Sequence, residues 1–240
     1  MNKNIILIVG KPSSGKTVSL RNVDAATTAY LNTDLKELPL QNANDFQEVG
    51  ITDAAELTAY IENIEEAEGV KLGVLDTLTF AMEMFATQYV TAPHIKNGQK
   101  AWGDYANYYR NFIHAIKSGT KDYVIFAHTK DVLNEGEMVM ETKIPVSGQI
   151  GDRGVEADFS IILAAKRVSI KTLEGFENPL LNITEDEYED GYKYVFQTRA
   201  TKDAIGEKMR SPLGLWNRRA LYIDNDINAV MKHVKSFYGN

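Results

Sequence analysis

The sequence of 240 residues lacks cysteine altogether, which excludes disulfide bonds and thiolate metal sites. It also lacks any apolar run near the roughly 20 residues that cross a bilayer. Its N-terminus has no basic region followed by a long apolar segment and a cleavage site, so it does not predict a secretory signal peptide. These absences favour a protein of the reducing cytoplasm without a membrane partner.

Basic residues are fewer than acidic residues, and the net charge of -7 at pH 7 disfavours a protein that coats nucleic acid through a basic surface. Acidic residues concentrate at residues 62–68 and 185–190, where a solvated helix face or loop tip explains them better than a metal site. The remainder of the chain is close to neutral, so it can still carry local basic patches.

The segment "GKPSSGKTVSL", Gly10–Leu20, contains the pattern G-x-x-x-x-G-K-[ST] of a phosphate-binding loop. The apolar run "IILIV" precedes it, and a helical pattern over residues 16–23 follows it. Backbone amides that enter a helix can surround a phosphate, and glycine permits their close approach. Lys16 can reach the β- and γ-phosphates, and the Thr17 hydroxyl can bind Mg²⁺. We therefore expect ATP to contact Gly10, Lys11, Pro12, Ser13, Ser14, Gly15, Lys16, Thr17 and Val18.

A second magnesium ligand is expected where an apolar strand ends in an acid. Asp76 closes the run in "GVLDT", which is the Walker B arrangement found opposite a phosphate loop. A helix cap is the alternative interpretation of this aspartate, and the presence of a phosphate loop favours the metal. The sequence thus predicts ATP and Mg²⁺ as ligands, with Mg²⁺ between Thr17 and Asp76.

Strands and helices alternate along the first half of the chain. Apolar runs predict strands at 4–10, 28–33, 71–79 and 122–131, and 3.6-residue periodicity predicts helices at 53–69 and 103–119. Three further strands with hairpin-like joins are predicted at 137–146, 158–170 and 191–201, before a last helix at about 225–237. This pattern predicts an α/β fold in one domain, residues 1–240, with a mostly parallel sheet and an antiparallel β-rich C-terminal extension.

The order of these segments resembles the RecA-like recombinase core. The matching stretches are the phosphate loop, "AYLNTD", "VLDT", "VIFAHT" and "EKMRSPLG", and the resemblance runs from Ile5 to about Leu215. More closely, the chain is similar to the phage Sak-type single-strand annealing ATPases, which are also called phage nucleotide-binding proteins. The resemblance implies a RecA-like P-loop core with helices on both faces of its sheet.

The resemblance also implies roles for residues at the strand ends. Asp34 stands where RecA-like proteins orient the attacking water; a turn aspartate is the alternative, with Glu37 as the substitute carboxylate. His128 and Thr129 occupy the position of the pair that senses the γ-phosphate, although a lone histidine is often structural.

Two basic residues one apart follow in "EKMRSP". In the family, such a pair reaches the ATP of a neighbouring subunit, so Lys208 and Arg210 would act in trans within a homo-oligomer, as an arginine finger does. An exposed basic edge strand is the alternative. The implied catalytic set is Lys16, Asp34, Asp76, Lys208 and Arg210.

Single-stranded DNA is the partner that the resemblance implies, through loops at residues 91–105 and 130–156. The first loop combines Lys96, Lys100 and Trp102 with Tyr105, a mixture suited to stacking on unpaired bases. A buried stripe of the following helix is the alternative explanation for the tyrosine. A single-strand binding protein is a further partner of this kind of ATPase.

The sequence therefore predicts a Mg²⁺-dependent, DNA-stimulated ATPase for phage recombination or strand annealing in the cytoplasm of the host cell. One alternative is a nucleotide-gated protein-binding module, such as a phage accessory or anti-defence factor, with no response to DNA. The other is a small-molecule kinase, which the sequence disfavours because it contains no arginine-rich lid and its C-terminal third is β-rich.

Overall fold

A twisted sheet organises the molecule in a computed structural model, which describes residues 4–136, 138–201 and 207–239. Within these residues the strands are β1 (Ile5–Gly10), β2 (Thr28–Asn32), β3 (Gln47–Gly50), β4 (Leu72–Asp76), β5 (Asp122–His128), β6 (Lys130–Asn134), β7 (Val139–Lys143), β8 (Ile161–Ser169), β9 (Tyr192–Gln197) and β10 (Tyr222–Asp224). The helices are α1 (Leu57–Glu66), α2 (Leu78–Phe85), α3 (Gly98–Ser118), α4 (Gly148–Arg153), α5 (Ile170–Leu173), α6 (Glu185–Asp190) and α7 (Ile227–Phe237).

The main sheet has the order β10-β9-β8-β1-β5-β4-β2-β3. The strands from β8 to β3 in this order run parallel, whereas β9 is antiparallel to β8 and β10 is antiparallel to β9. The fold class predicted from the sequence is confirmed. The carboxyl ends of β1, β5, β4 and β2 lie side by side, which gathers the predicted site residues at one edge of the sheet.

Both faces of the sheet are buried. Successive side chains of a strand point to opposite faces, so each strand contributes to both cores. On one face, Leu7 and Val9 of β1 pack with the apolar stripes of α1, α2 and α3. On the other face, Ile6 and Ile8 pack with α7 and with Leu20. The continuous apolar run of β1 is thus the signature of a central parallel strand. Within the described residues, no helix is long and apolar enough to span a bilayer.

The helix predicted at 16–23 is wrong in length, since only a 3₁₀ turn at Thr17–Leu20 follows the phosphate loop. Arg21 caps the turn with helical backbone angles and donates from Nη1 to the carbonyl of Asn225 at 2.5 Å. Asn22 donates to Asp226 Oδ2 at 2.7 Å. These contacts with the start of α7 take the place of further helical turns. Asn22 and Asp24 also belong to residue types that do not favour a helix interior.

Several predicted strands end early or pair differently. The strand predicted at 71–79 stops at Asp76, because Thr77 caps α2 by accepting a hydrogen bond from the amide of Phe80 at 3.2 Å. The helix predicted at 103–119 begins earlier, where Asn97 Oδ1 accepts from the amide of Lys100 at 3.0 Å. Neither α2 nor the edge strand β3 is predicted from the sequence.

The predicted antiparallel extension begins later than expected. The strand at 158–170 is β8, which pairs in parallel with β1 and belongs to the core. The strand predicted at 122–131 is β5 of the main sheet as far as His128, and β6 begins at Lys130. The described part of the strand predicted at 137–146 is β7, which forms a separate two-stranded hairpin with β6. A seven-residue β5 followed at once by a hairpin cannot be distinguished from one long strand by composition.

Gly73 of β4 gives a test of the sheet's packing. A Cβ at this position would lie 2.3 Å from the Tyr123 ring, which is buried on the neighbouring strand β5. We expect Gly73→Ala to lower the free energy of unfolding by about 1–3 kcal/mol, because the ring has to shift in a filled core. The measurement is urea-induced unfolding followed by circular dichroism.

Gly103→Ala is the matched control, because a Cβ there, within α3, meets no atom within 4 Å. It should stabilise the protein by about 0.5–1 kcal/mol through helix propensity. Equal stability of the two variants would contradict the packing of β4 against β5.

Candidate nucleotide site

The phosphate loop follows β1 and depends on its two predicted glycines. A Cβ on Gly10 would lie 2.4 Å from Ser14 Oγ and 2.8 Å from the carbonyl oxygen of Ala165. Gly15 has a φ of +88°, which disfavours any other residue type. The Ser14 hydroxyl is buried and has no hydrogen-bond partner among the described residues, as expected for a donor that faces a ligand.

Lys16 closes the mouth of this loop. Its side chain is only 6% exposed, and Nζ donates to the carbonyl oxygens of Gly10 at 2.9 Å and Lys11 at 3.0 Å. Burial lowers the pKa of Lys16 to about 8, against the opposing attraction of Asp76 and Asp34. The ammonium group is therefore held where the pattern predicts the β- and γ-phosphates.

The predicted magnesium ligands meet beside the loop. Thr17 Oγ1 donates to Asp76 Oδ2 at 2.7 Å, and the hydroxyl of Tyr30 donates to the same oxygen at 2.8 Å. Burial raises the pKa of Asp76, while these two hydrogen bonds oppose the rise. Tyr30 was missed by the sequence analysis, although a phenol in the fully buried β2 signals a polar partner.

The residues present fit Mg²⁺ as the cation. Hydroxyl and carboxylate oxygens are its preferred protein ligands, and it commonly keeps waters and substrate phosphates as the others. No group of three or more His, Cys, Asp or Glu side chains within the described ranges could hold a metal by itself. Thr17 and Asp76 would thus bind the ion together with the nucleotide.

Asp34 lies close to this pair but is engaged elsewhere. Its Oδ2 forms an ion pair with Lys36 Nζ at 3.0 Å, and its Oδ1 accepts from the Lys36 amide at 3.3 Å. Its charge acts on both Lys16 and Asp76. Glu37, the substitute considered from the sequence, is exposed.

The predicted sensor pair also reaches the loop. His128 Nδ1 lies 3.2 Å from Lys16 Nζ, and the Thr129 amide donates to the Gly10 carbonyl at 3.3 Å. Burial, together with the charge of Lys16, lowers the pKa of His128 to about 4. His128 is therefore neutral near pH 7, and Nδ1 can accept a hydrogen bond from the lysine.

A cavity of about 520 Å³ opens beside Gly10–Ser14. We call it the nucleotide cavity because it borders the first half of the loop; Lys16, Thr17 and Asp76 do not line it, and Lys208 lies on its wall, in the same chain as the loop. Arg210 does not line it. Its backbone pairs with Ile162, and its Nη1 donates to the carbonyl of Phe159 at 3.3 Å. The structure therefore separates the two basic residues that the sequence pairs.

A second cavity of about 890 Å³, here called the groove, adjoins the nucleotide cavity. Ile144, Glu156 and Lys208 line both. The predicted DNA loops contribute unequally to the groove. Residues 130–156 supply much of its wall, including Lys130 and Lys143, whereas the loop 91–105 supplies only its two ends, Thr91 and the buried Tyr105.

Lys100 and Trp102 of the first predicted DNA loop lie on α3, whereas Lys96 is exposed and precedes this helix. Lys100 forms an ion pair with Asp104 at 2.6 Å, one turn along the helix. The Trp102 ring packs edge-on against Tyr105, with centroids 5.3 Å apart. The alternative interpretation, a buried helix stripe, accounts for Tyr105, whose hydroxyl accepts from the Ser147 amide at 3.3 Å.

The hairpin β6–β7 is attached to the phosphate loop. Lys11 Nζ forms an ion pair with Asp131 at 2.6 Å, and Asp131 also accepts a hydrogen bond from Thr142 at 3.0 Å. The hydrogen bond from Lys11, supported by that from Thr142 and by the charge of Lys11, lowers the pKa of Asp131. The hairpin therefore stands between the nucleotide cavity and the groove.

Comparison with known families gives one match. A family model described as AAA domain matches residues 2–206. A search among curated proteins found no relative of the chain. The matched range covers the loop, Asp34, Asp76, His128 and Thr129, and ends before Lys208 and Arg210.

Asp158 anchors the segment that forms the shared wall. Burial by itself would raise the pKa of Asp158, but hydrogen bonds from Lys117 at 2.7 Å and Tyr109 at 2.9 Å hold it below its usual value. Arg153 contacts the same carboxylate. We expect Asp158→Asn to lower the free energy of unfolding at pH 7 by about 1–3 kcal/mol.

The effect of Asp158→Asn should depend on pH. The folded-state pKa lies below the unfolded value, so the carboxylate stabilises the fold above the unfolded pKa and loses that effect as pH falls through the folded pKa. Urea unfolding of both proteins at pH 7 and near pH 3 measures the difference, which should shrink in acid. A difference that stayed constant would exclude the charge of Asp158 as its source.

Proposed function

The chain belongs to the AAA domain family of P-loop ATPases, and on that premise we propose that it binds ATP with Mg²⁺, hydrolyses the ATP and acts on single-stranded DNA. The observation that carries the proposal is the shared wall of Ile144, Glu156 and Lys208, which joins the nucleotide cavity to the groove. Two ligands are coupled when each changes the affinity for the other, and residues that border both sites offer a direct route for such coupling.

The nucleotide chemistry follows from the loop. The Lys16 ammonium, already held by loop carbonyls, would turn to the β- and γ-phosphates and stabilise the charge that develops there. Thr17 and Asp76 would hold Mg²⁺, which supplies charge neutralisation on the phosphates when bound. His128, neutral and in contact with Lys16, would report the presence of the γ-phosphate to β5.

The groove supports single-stranded DNA as the second ligand. Lys130, Lys143 and Lys208 line it and can contact a phosphate backbone, and Phe80, which also lines it, offers a ring for a base. The resemblance to the Sak-type phage proteins supports strand annealing or recombination as the process. Action of Lys208 and Arg210 in trans within a homo-oligomer, and a single-strand binding protein as partner, stay predictions.

A protein-binding module is the second candidate, and the hairpin favours it. Leu133, Met138 and Met140 are 49%, 76% and 57% exposed and lie together on this small element. Exposed apolar side chains of this kind are typical of protein contacts. In that case ATP would control the hairpin, and DNA would have no effect.

The first test is phosphate release from ATP with and without single-stranded DNA at low salt. We expect DNA to stimulate turnover, and Lys16→Ala to reduce it by roughly 100-fold or more, because a charge at the transition state is lost. ATP binding without any response of turnover or affinity to DNA would contradict the DNA proposal and favour the protein-binding module.

The groove is tested by the salt dependence of DNA binding. Lys130→Ala combined with Lys143→Ala should weaken binding and reduce the slope of log affinity against log salt by about 1 for each lost phosphate contact. Lys100→Ala is the control, because this lysine is paired with Asp104 and does not line the groove. An equal change in the control would exclude the groove as the DNA site.

A further inference from the structure

Half of the chain's eight arginines come together at one surface. Arg199 follows the end of β9, and Arg210, Arg218 and Arg219 lie in the stretch that leads to β10. We call these four residues the arginine surface. Residues 208–221 contain four basic side chains and no acidic one, in a chain whose net charge is -7. Positive charge is therefore concentrated in this part of the molecule.

Hydrogen bonds hold the end of β9 against the stretch that precedes β10. Arg199 Nη2 donates to the carbonyl of Arg218. One residue earlier, the amide of Thr198 donates to the carbonyl of Leu221 at 2.9 Å, and its hydroxyl donates to the carbonyl of Ala220 at 2.7 Å. Arg199 is thus fixed beside Arg218, although the two are far apart in sequence.

The turn that follows Arg210 is fixed in the same way. The Ser211 hydroxyl accepts from Trp216 Nε1 at 2.8 Å and lies 3.4 Å from the carbonyl oxygen of Thr198. The Trp216 ring stacks on His233 of α7, with centroids 4.7 Å apart. The backbone that carries the arginines is therefore anchored to both β9 and α7.

The arginines have few partners of their own. Within the residues that the structure describes, none of the four forms an ion pair with a carboxylate. Arg199 and Arg210 each donate to one backbone carbonyl, which uses one of the five N–H groups of a guanidinium. Arg210, Arg218 and Arg219 are exposed. Their remaining donors are therefore available to an anionic ligand.

The chemistry of this surface fits phosphate groups. A guanidinium presents paired N–H donors that match two phosphate oxygens, and it stays charged at every physiological pH. Interfaces with nucleic acid are more polar and more positive than those between proteins. The residues between the arginines include the polar Ser211 and Asn217, and Leu213 is the exposed large apolar one. A row of phosphates fits this composition better than an apolar protein surface does.

The arginine surface continues from the groove. Lys208 lines the groove, and Arg210 follows it after two residues, or about 7 Å of extended chain. The backbone of Arg210 pairs with Ile162 of β8, with N···O distances of 2.8 and 3.2 Å. This pairing fixes the stretch after Lys208 to the main sheet. A strand that occupies the groove can therefore continue past Lys208 onto the arginines.

We propose that the arginine surface binds the phosphate backbone of the same single strand that occupies the groove; this inference rests on the proposed action on single-stranded DNA. Lys130, Lys143 and Lys208 contact one set of phosphates, and the arginines contact the next. The binding track is then longer than the groove itself. A strand too short to extend past Lys208 lacks the second set of contacts.

The test is the affinity for labelled oligothymidylates of about 6 and about 30 nucleotides, lengths that bracket the usual site sizes of single-strand binding folds. Arg218→Gln combined with Arg219→Gln should weaken binding of the long strand roughly tenfold at low salt. It should also reduce the slope of log affinity against log salt by about 1 for each lost phosphate contact. The loss for the short strand should be smaller, because the groove alone can hold it.

Lys71→Gln combined with Arg110→Gln is the matched control. It removes the same charge from two exposed positions, just before β4 and on α3, that line neither cavity. Arg218→Lys combined with Arg219→Lys keeps the charge without the paired donors and should recover part of the affinity. ATP turnover without DNA should not change in the arginine variants, because neither residue lines the nucleotide cavity.

Three results would overturn the inference. The first is wild-type affinity of the double glutamine variant for the long strand, and the second is an equal loss in the matched control. The third concerns an acidic face of another copy, such as α6, as the occupant instead. In that case the glutamine variant would lower the molar mass measured by light scattering and leave DNA binding unchanged.

Failure of this inference and failure of the proposed function give different results. If Lys130→Ala with Lys143→Ala weakens DNA binding and the arginine variant does not, the groove stands and the arginine surface fails. The reverse result supports the arginine surface and excludes the groove. If the wild type binds neither strand, the DNA function fails and the inference fails with it.

Discussion

The ammonium group of Lys16 lies in a place that water hardly reaches, held by two carbonyls of its own loop. A buried cation needs negative partners, and the carboxylates of Asp76 and Asp34 at the ends of β4 and β2 provide them at longer range. The same charge lowers the pKa of His128 and opposes the raised pKa of Asp76. Protonation states across the site therefore depend on where this one side chain lies, and a triphosphate would change all of them together.

The order of strands in the sheet makes this arrangement possible. β5 lies between β1 and β4, so the end of β5 at His128 stands between the strand ends at Gly10 and Asp76, and β2 follows directly beyond β4. The pairing of β2 with β4 sets Asn32 opposite Asp76, which brings the phenol of Tyr30 within reach of the carboxylate. A local motif forms the loop, but parallel pairing between distant segments brings Tyr30, Asp76 and His128 next to it.

The difference between local motifs and contacts between distant segments explains what could be predicted from the sequence. The loop, the α/β class and the buried stripes of α3 and α7 follow from short-range patterns, and the structure has them. Tyr30 could not be found in the same way, because it matters through Asp76, a neighbour that strand pairing provides. The helix after the loop was predicted too long because contacts with the start of α7, more than 200 residues away in sequence, compete with it. Lys208 and Arg210 alternate in sequence, yet one reaches a cavity and the other a backbone carbonyl.

The hairpin β6–β7 forms a sheet of its own, and its faces border both cavities through Asp131 and Thr142 on one side and Lys130 and Lys143 on the other. A two-stranded hairpin has little stability by itself, since it lacks the many neighbours of a central strand. We therefore expect its local opening to cost less free energy than unfolding of the main sheet, and its amide hydrogens to exchange with solvent faster than those of the central strands. The partition between the two cavities could then open while the sheet that carries Asp76 remains folded.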